Sequence, residues 1–134
     1  MKYKVAFVCT GNSCRSQMAE GWAKYLGNEV FEAYSAGTHP VKEVNPNAVV
    51  VMKESGVDIT DHYPKLLQDI PNEIDILITM GCGVECPFVP NDYKEDWGLE
   101  DPVGKSIEEF KKVRDIIKEK MIGLIDKIKN NQLI

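Results

Sequence analysis

A chain of 134 residues with ordinary apolar and charged fractions can bury one sizeable core, which excludes the disordered and fibrous classes. Its formal charge of −5 argues against nucleic acid as the main partner, because phosphate backbones call for a basic surface. No apolar run approaches the roughly 20 residues of a bilayer span, and the run after Lys4 is too brief for a signal peptide, so a cytoplasmic protein without membrane contact is expected.

In chain order, Lys4 to Cys9 (KVAFVC) reads as a buried strand that stops at a polar, glycine-containing loop. Ser16 to Leu26 places Met18, Ala19, Trp22, Ala23 and Leu26 at helical spacing, with Gly27-Asn28 as the stop. Val30 to Ser35 is a second strand closed by Gly37. Pro46 to Ser55 is a second helix, with Asn45 as its cap and Pro46 in its first turn. Ile74 to Met80 (IDILITM) is a third buried strand, and a short fourth is expected around Lys94 to Trp97. From Ser106 to about Ile128 runs an amphipathic helix, opened by a capping-box pattern of Ser106 and Glu109. Its inner stripe is Ile116, Ile117, Met121, Leu124, Ile125 and Ile128, a packing face. No repeat or linker interrupts the chain, so residues 1–134 are expected to form a single domain. Strands alternating with helices imply a parallel sheet, whose ligands collect at the carboxyl ends of the strands.

One such end carries Cys9-Thr10-Gly11-Asn12-Ser13-Cys14-Arg15-Ser16, between a strand and a helix. A loop of this kind aims successive backbone N–H groups into one concavity, and the helix adds its positive end. Gly11 and Asn12 tolerate left-handed backbone, and Arg15 offers a planar fork for two oxygens of a tetrahedral anion. The same surroundings favour a Cys9 thiolate, the reactive form, with Ser16 placed to donate to it. Cysteine is often buried, so Cys9 alone is equally readable as packing. Arg15 is not: a cation in the first turn opposes the helix dipole unless an anion sits there. Asp101, before Pro102, reads by itself as a turn former.

The other cysteines of interest, Cys82 and Cys86, follow the third strand. In a reducing compartment the four cysteines of the chain are thiols, metal ligands or redox participants rather than a disulfide framework. A zinc site lacks a second cysteine pair, and His39 and His62 lie far off in sequence. Inert buried thiols and a redox pair both remain open on the residues alone.

The segment Val8 to Gly21 (VCTGNSCRSQMAEG) resembles the active-site loop of the low-molecular-weight protein tyrosine phosphatase fold. The continuation Gln17-Met18-Ala19-Glu20-Gly21-Trp22, the Tyr34-Ser35-Ala36-Gly37 segment, and Trp97-Gly98 before Asp101-Pro102 resemble that family's thioredoxin-coupled arsenate reductases. The resemblance implies an α/β three-layer sandwich with a central four-stranded parallel sheet flanked by helices. It also implies Cys9 as nucleophile, Arg15 as anion-binding arginine, Asp101 as general acid, and an oxyanion cradle formed by Thr10, Gly11, Asn12, Ser13, Cys14, Arg15 and Ser16. By the same resemblance Cys82 attacks the arsenic adduct on Cys9 and Cys86 then takes over the disulfide.

The implied reaction is reduction of arsenate to arsenite in arsenic detoxification, with thioredoxin as electron donor, or glutaredoxin with a small thiol as the lesser option. The alternative is a tyrosine phosphatase hydrolysing phosphotyrosine through a cysteinyl-phosphate. A non-catalytic reading is an oxyanion sensor. A monomer with no required metal or cofactor is expected. Some members bind K⁺ through positions matching Asn12, Glu20 and Ser35 together with an aspartate. Lys65 stands at that aspartate's place, and its ammonium is expected to replace the cation and pair with Glu20. A solvated lysine after Pro64 is the other reading.

Overall fold

The computed structural model describes residues 2–81 and 91–130. Four parallel strands, β1 (Tyr3–Cys9), β2 (Phe31–Gly37), β3 (Ile76–Thr79) and β4 (Tyr93–Asp96), form one sheet in the order β2-β1-β3-β4. The helices are α1 (Arg15–Leu26), α2 (Pro46–Glu54) and α3 (Ile107–Lys129). The central strand β1 has its last five residues buried because both faces of the sheet are covered.

The larger core joins Val5, Phe7 and Cys9 of β1 and Ile76 and Ile78 of β3 to the apolar faces of all three helices. The opposite face, with Ala6, Val8, Ala36 and Leu77, is covered by Ile70 and Ile74, with Leu67 of a single 3₁₀ turn (Leu67–Asp69) packed alongside. The alternation of successive β1 side chains between these two clusters is the period-two pleat of the strand.

Most predicted elements lie where expected, with short shifts at their ends. Asn45 caps α2, accepting from the Asn47 N–H at 2.9 Å, and Pro46 opens the helix. Two expectations for α3 fail. The Ser106 side chain makes no capping bond, and Glu109 faces Lys112 at 3.3 Å instead, so the capping box does not form. Ile116 is 42% exposed, because Phe110, Val113, Ile117, Met121 and Leu124 already fill the inner stripe at three- and four-residue steps.

Close backbone approaches fix where the site lies. A side chain at Gly37, the last residue of β2, would put its Cβ 2.6 Å from the Thr10 carbonyl oxygen, so the end of β2 sits directly against the loop after β1. Gly21 lets α1 lie on Val57 and Ile59, where a Cβ would meet Ile59 Cγ2 at 2.8 Å.

Candidate active site

The loop between β1 and α1 is held from outside by its own carbonyls. Thr38, His39, Val41 and Asn45 donate their N–H groups to the carbonyls of Cys9, Thr10, Gly11 and Ser13 at 2.8–3.2 Å. Turning those carbonyls outward directs the amide edges of the same peptides into the loop, which is how such a segment becomes an anion cradle. Asn12 makes the turn in the left-handed region (φ 51°), the only described non-glycine residue with positive φ. It is fully buried and its own N–H points at Cys9 Sγ, 3.3 Å away.

Asn12 is also the hub of a buried polar network. Its Nδ2 donates to Ser16 Oγ at 2.7 Å, and Ser16 Oγ lies 2.9 Å from Cys9 Sγ. The Asn12 amide occupies one lone pair of that hydroxyl and leaves its proton able to turn toward the sulfur. Asn12 Oδ1 accepts from the Lys65 N–H at 2.8 Å and from Gln17 Nε2 at 3.0 Å. Because Gln17 Nε2 also faces the carbonyls of Asn12 and Tyr63, its Oε1 is the atom 3.0 Å from His62 Nδ1. That nitrogen therefore carries the proton. Burial holds His62 below the ordinary histidine range, although its Nε2 lies 3.8 Å from Glu20 Oε2, so we take it as a neutral imidazole near neutral pH.

Arg15 opens α1 and is itself buried, 7% exposed. Its Nη1 donates to the Met80 carbonyl at 2.8 Å and the Leu99 carbonyl at 3.0 Å. Its buried Nε has no partner among the described residues. The edge formed by Nε and Nη2 is thus left for two oxygens of an anion, and a buried donor without an acceptor would otherwise be costly. Nη2 also lies 3.9 Å from Asp101 Oδ2.

Asp101 reaches the loop from the other side. Its Oδ1 accepts from the Val103 N–H at 3.1 Å and lies 3.6 Å from Cys14 Sγ, while the side chain stays 53% exposed. Burial first, and then the charges of Asp101 and Cys9, push the Cys14 thiol up to about 12, so Cys14 stays protonated beside Cys9. The fold thus brings Cys9, Cys14, Arg15, Ser16 and Asp101 together. Cys82 and Cys86 lie outside the described residues.

Behind the loop, the Glu20 carboxylate is compensated by the chain itself. Lys24 Nζ is 2.6 Å from Oε2, Lys65 Nζ is 3.6 Å from Oε1, and the Ser35 hydroxyl donates to Oε1. Burial works against its charge, but Lys24, Ser35, His62 and Lys65 together hold Glu20 below the usual carboxylate range. Lys65 Nζ additionally donates to the Tyr63 carbonyl at 3.0 Å and lies over the Tyr63 ring. From the sequence Gln17 stands out only within a resembling segment and His62 only as a distant zinc ligand, and the two carbonyls that hold Arg15 are not singled out. Gln17 carries a trace of its role there: it is a polar residue on a helix that is buried on every side from Arg15 to Ala23.

A thiol facing amides and a hydroxyl, with a free arginine edge beside it, can seat a tetrahedral oxyanion against sulfur. That is the chemistry of the cysteine-dependent phosphatase class. The chain belongs to the low molecular weight phosphotyrosine protein phosphatase family, whose profile matches residues 4–133. It is 48% identical over 123 residues to arsenate reductase 1 of Staphylococcus saprophyticus, covering 87% of this chain and 92% of the relative. A solved arsenate reductase in its phosphate-binding state superposes with a TM-score of 0.87 at 44% identity, covering 96% of this chain and 99% of the other. The thioredoxin-dependent arsenate reductase of Corynebacterium glutamicum superposes with a TM-score of 0.80 at 30% identity, covering 98% of this chain and 64% of the other. No helix among the described residues is long and apolar enough to cross a membrane.

Proposed function

We propose that the protein reduces arsenate to arsenite through Cys9, using its own thiols as the immediate source of electrons. The geometric observation that carries oxyanion chemistry is the buried Arg15 Nε, without a partner among the described residues, at a loop whose Asn12 N–H and Ser16 hydroxyl face Cys9 Sγ. Similarity to arsenate reductases over most of the chain selects arsenate over phosphate esters.

In the first step Cys9 Sγ attacks arsenic while Arg15 and the loop amides hold the oxygens. Asp101, the general acid that the family resemblance implies, passes a proton to the departing oxygen. The thiolate, HAsO₄²⁻ and that proton become the S-arsenated cysteine and one water, and arsenic is still pentavalent. In the second step the Cys82 thiolate attacks Cys9 Sγ. The S–As electron pair stays on arsenic, which leaves as arsenite, and a Cys9–Cys82 disulfide replaces it. Cys86 then attacks Cys82, frees Cys9 and forms a Cys82–Cys86 disulfide, which a thioredoxin dithiol reduces by exchange. The roles of Cys82 and Cys86 rest on the resemblance to the family's thioredoxin-coupled arsenate reductases. Exchange chemistry of this kind suits a reducing, cytoplasmic compartment.

The position beside Glu20 does not fit an added potassium ion. Lys24 and Lys65 already face its carboxylate, and Asn12 Oδ1 is occupied by Gln17 and the Lys65 N–H. We infer that the Lys65 ammonium stands in for a cation, and that K⁺ and Na⁺ support equal turnover. A rate that rises strongly and specifically with K⁺ contradicts this.

The reaction itself is tested by arsenite release with thioredoxin, thioredoxin reductase and NADPH, and in parallel with glutaredoxin, glutathione and NADPH. Arsenite in the first system is expected. Arsenite only in the second reassigns the donor. No arsenite in either, with aryl phosphate cleaved equally by wild type, Cys82→Ser and Cys86→Ser, identifies a phosphatase instead.

A further inference from the structure

Arg15 is held by two carbonyls from different segments, and both segments are tied together behind it by one carboxylate. Met80 ends the stretch that leads from β3, and Leu99 lies just past β4. Their carbonyls are the two acceptors of Arg15 Nη1, at 2.8 and 3.0 Å. The next residue after Met80 is Gly81, whose N–H donates to Asp96 Oδ1 at 2.8 Å. The residue before Leu99 is Gly98, whose N–H donates to the same oxygen at 3.3 Å. Thr79, the register partner of Asp96 across the β3–β4 ladder, adds its hydroxyl to that oxygen at 2.9 Å.

These contacts close a ring that runs from Asp96 through Gly81 and Met80 to Arg15, and back through Leu99 and Gly98. The ring is tight where the two segments meet. A Cβ on Gly81 (φ +87°) would lie 3.2 Å from both Gly98 Cα and Leu99 N. The two segments are packed against each other, beside the Trp97 N–H that donates to the Thr79 carbonyl at 2.8 Å, and Asp96 Oδ1 accepts from both segments. Its three donors hold Asp96 below the usual carboxylate range against the opposing effect of burial, so it is ionised whenever the site works near neutral pH. An ionised acceptor makes stronger bonds to amides than a neutral one.

We propose that Asp96 is a positioning residue for oxyanion binding: by fixing the peptide that joins Met80 to Gly81, whose carbonyl holds Arg15 Nη1, and by anchoring Gly98 just before Leu99, it aims the Nε–Nη2 edge at the anion. Asp96 touches neither anion nor Cys9 and acts only through Arg15. The proposal rests on the reading of Arg15 as the anion-binding group. It also assigns Thr79 a part, as the hydroxyl that aims Oδ1.

Inorganic phosphate, a tetrahedral anion that the relay cannot reduce, is the probe, and its affinity is measured by calorimetry at neutral pH. Arg15→Ala is expected to abolish binding. Asp96→Ala is expected to weaken it roughly tenfold, the scale of one misplaced charge-assisted hydrogen bond. Asp96→Asn, which keeps one carbonyl acceptor in place, is expected to restore most of the affinity, and Thr79→Val to weaken binding about threefold. If Asp96→Ala does not fold, Thr79→Val carries the test alone. Wild-type affinity in whichever of these two variants folds, with binding lost in Arg15→Ala, overturns the role of Asp96 and leaves Arg15 as the anion-binding group. Loss in Asp96→Ala that Asp96→Asn does not relieve also overturns it. Wild-type affinity in Arg15→Ala overturns the oxyanion site itself, and the positioning role with it.

Discussion

Arg15 and Ser16 each have one contact taken by the fold and another atom left on the Cys9 side of the loop. Arg15 gives Nη1 to two carbonyls while its Nε has no partner among the described residues; Ser16 accepts from Asn12 and lies 2.9 Å from Cys9 Sγ. Such prior engagement means that little reorganisation remains when the anion arrives, which is where preorganised donors gain their catalytic effect. An ammonium in place of the guanidinium cannot both satisfy the carbonyls and present two parallel donors. Arg15→Lys is therefore expected to lower kcat/KM for arsenate about a hundredfold. Steady-state kinetics under the thioredoxin system measure this, and a loss of less than threefold contradicts the fork. At this scale the sequence was most readable, because the Cys9-to-Arg15 spacing is local and sits between a strand and a helix. Asp101 was readable only by resemblance. Its contacts with Cys14 and Arg15 join residues more than 80 positions apart, and nothing in its own neighbourhood announces them.

Among the elements, β1 and α1 form the site, while β3, β4 and the segments after them supply its second wall. The apolar runs of β1 and β3 and the caps of α2 are short-range signals, and those elements lie close to where periodicity put them. The short β4 was the least distinct, since its four residues YKED carry no apolar run and it is defined by pairing with β3. The miss at Ile116 has the same origin. Two adjacent isoleucines fit the helical stripe equally well on paper, and only the packing of α3 against α1 and α2 decides between them. Ile117 is fully buried and Ile116 is 42% exposed, so Ile117→Ala should cost about 2–5 kcal/mol and Ile116→Ala under about 0.5 kcal/mol. Urea unfolding of both variants checks this, and equal losses refute the assigned orientation of α3.

Across the whole molecule, several carboxylates are held below their ordinary range, among them Glu20, Glu95 and Asp96, and buried His62 is held below its own. Each of these groups binds protons more readily in the unfolded chain than in the fold. The stability these groups contribute is therefore full above the ordinary histidine range, begins to fall as His62 would protonate, and falls further below the ordinary carboxylate range. Unfolding midpoints in urea should decline from pH 7 to pH 5 and more steeply toward pH 4. Glu20→Gln should flatten the lower part of that decline; an unchanged slope in this variant removes Glu20 from the explanation. The sequence's −5 charge shows only that an anion must be met locally, and among the described residues the buried Arg15 Nε and the Asn12 N–H are the local donors the fold offers beside Cys9.

The central claim, that the chain's own thiols supply the two electrons, is tested most directly by a single turnover without any external reductant. Fully reduced protein is mixed with excess arsenate, and arsenite and remaining thiols are counted together. The account predicts one arsenite per chain with the loss of two thiols, and neither change in Cys9→Ser or Cys82→Ser. Arsenite formed without thiol loss, or formed by Cys9→Ser, contradicts it.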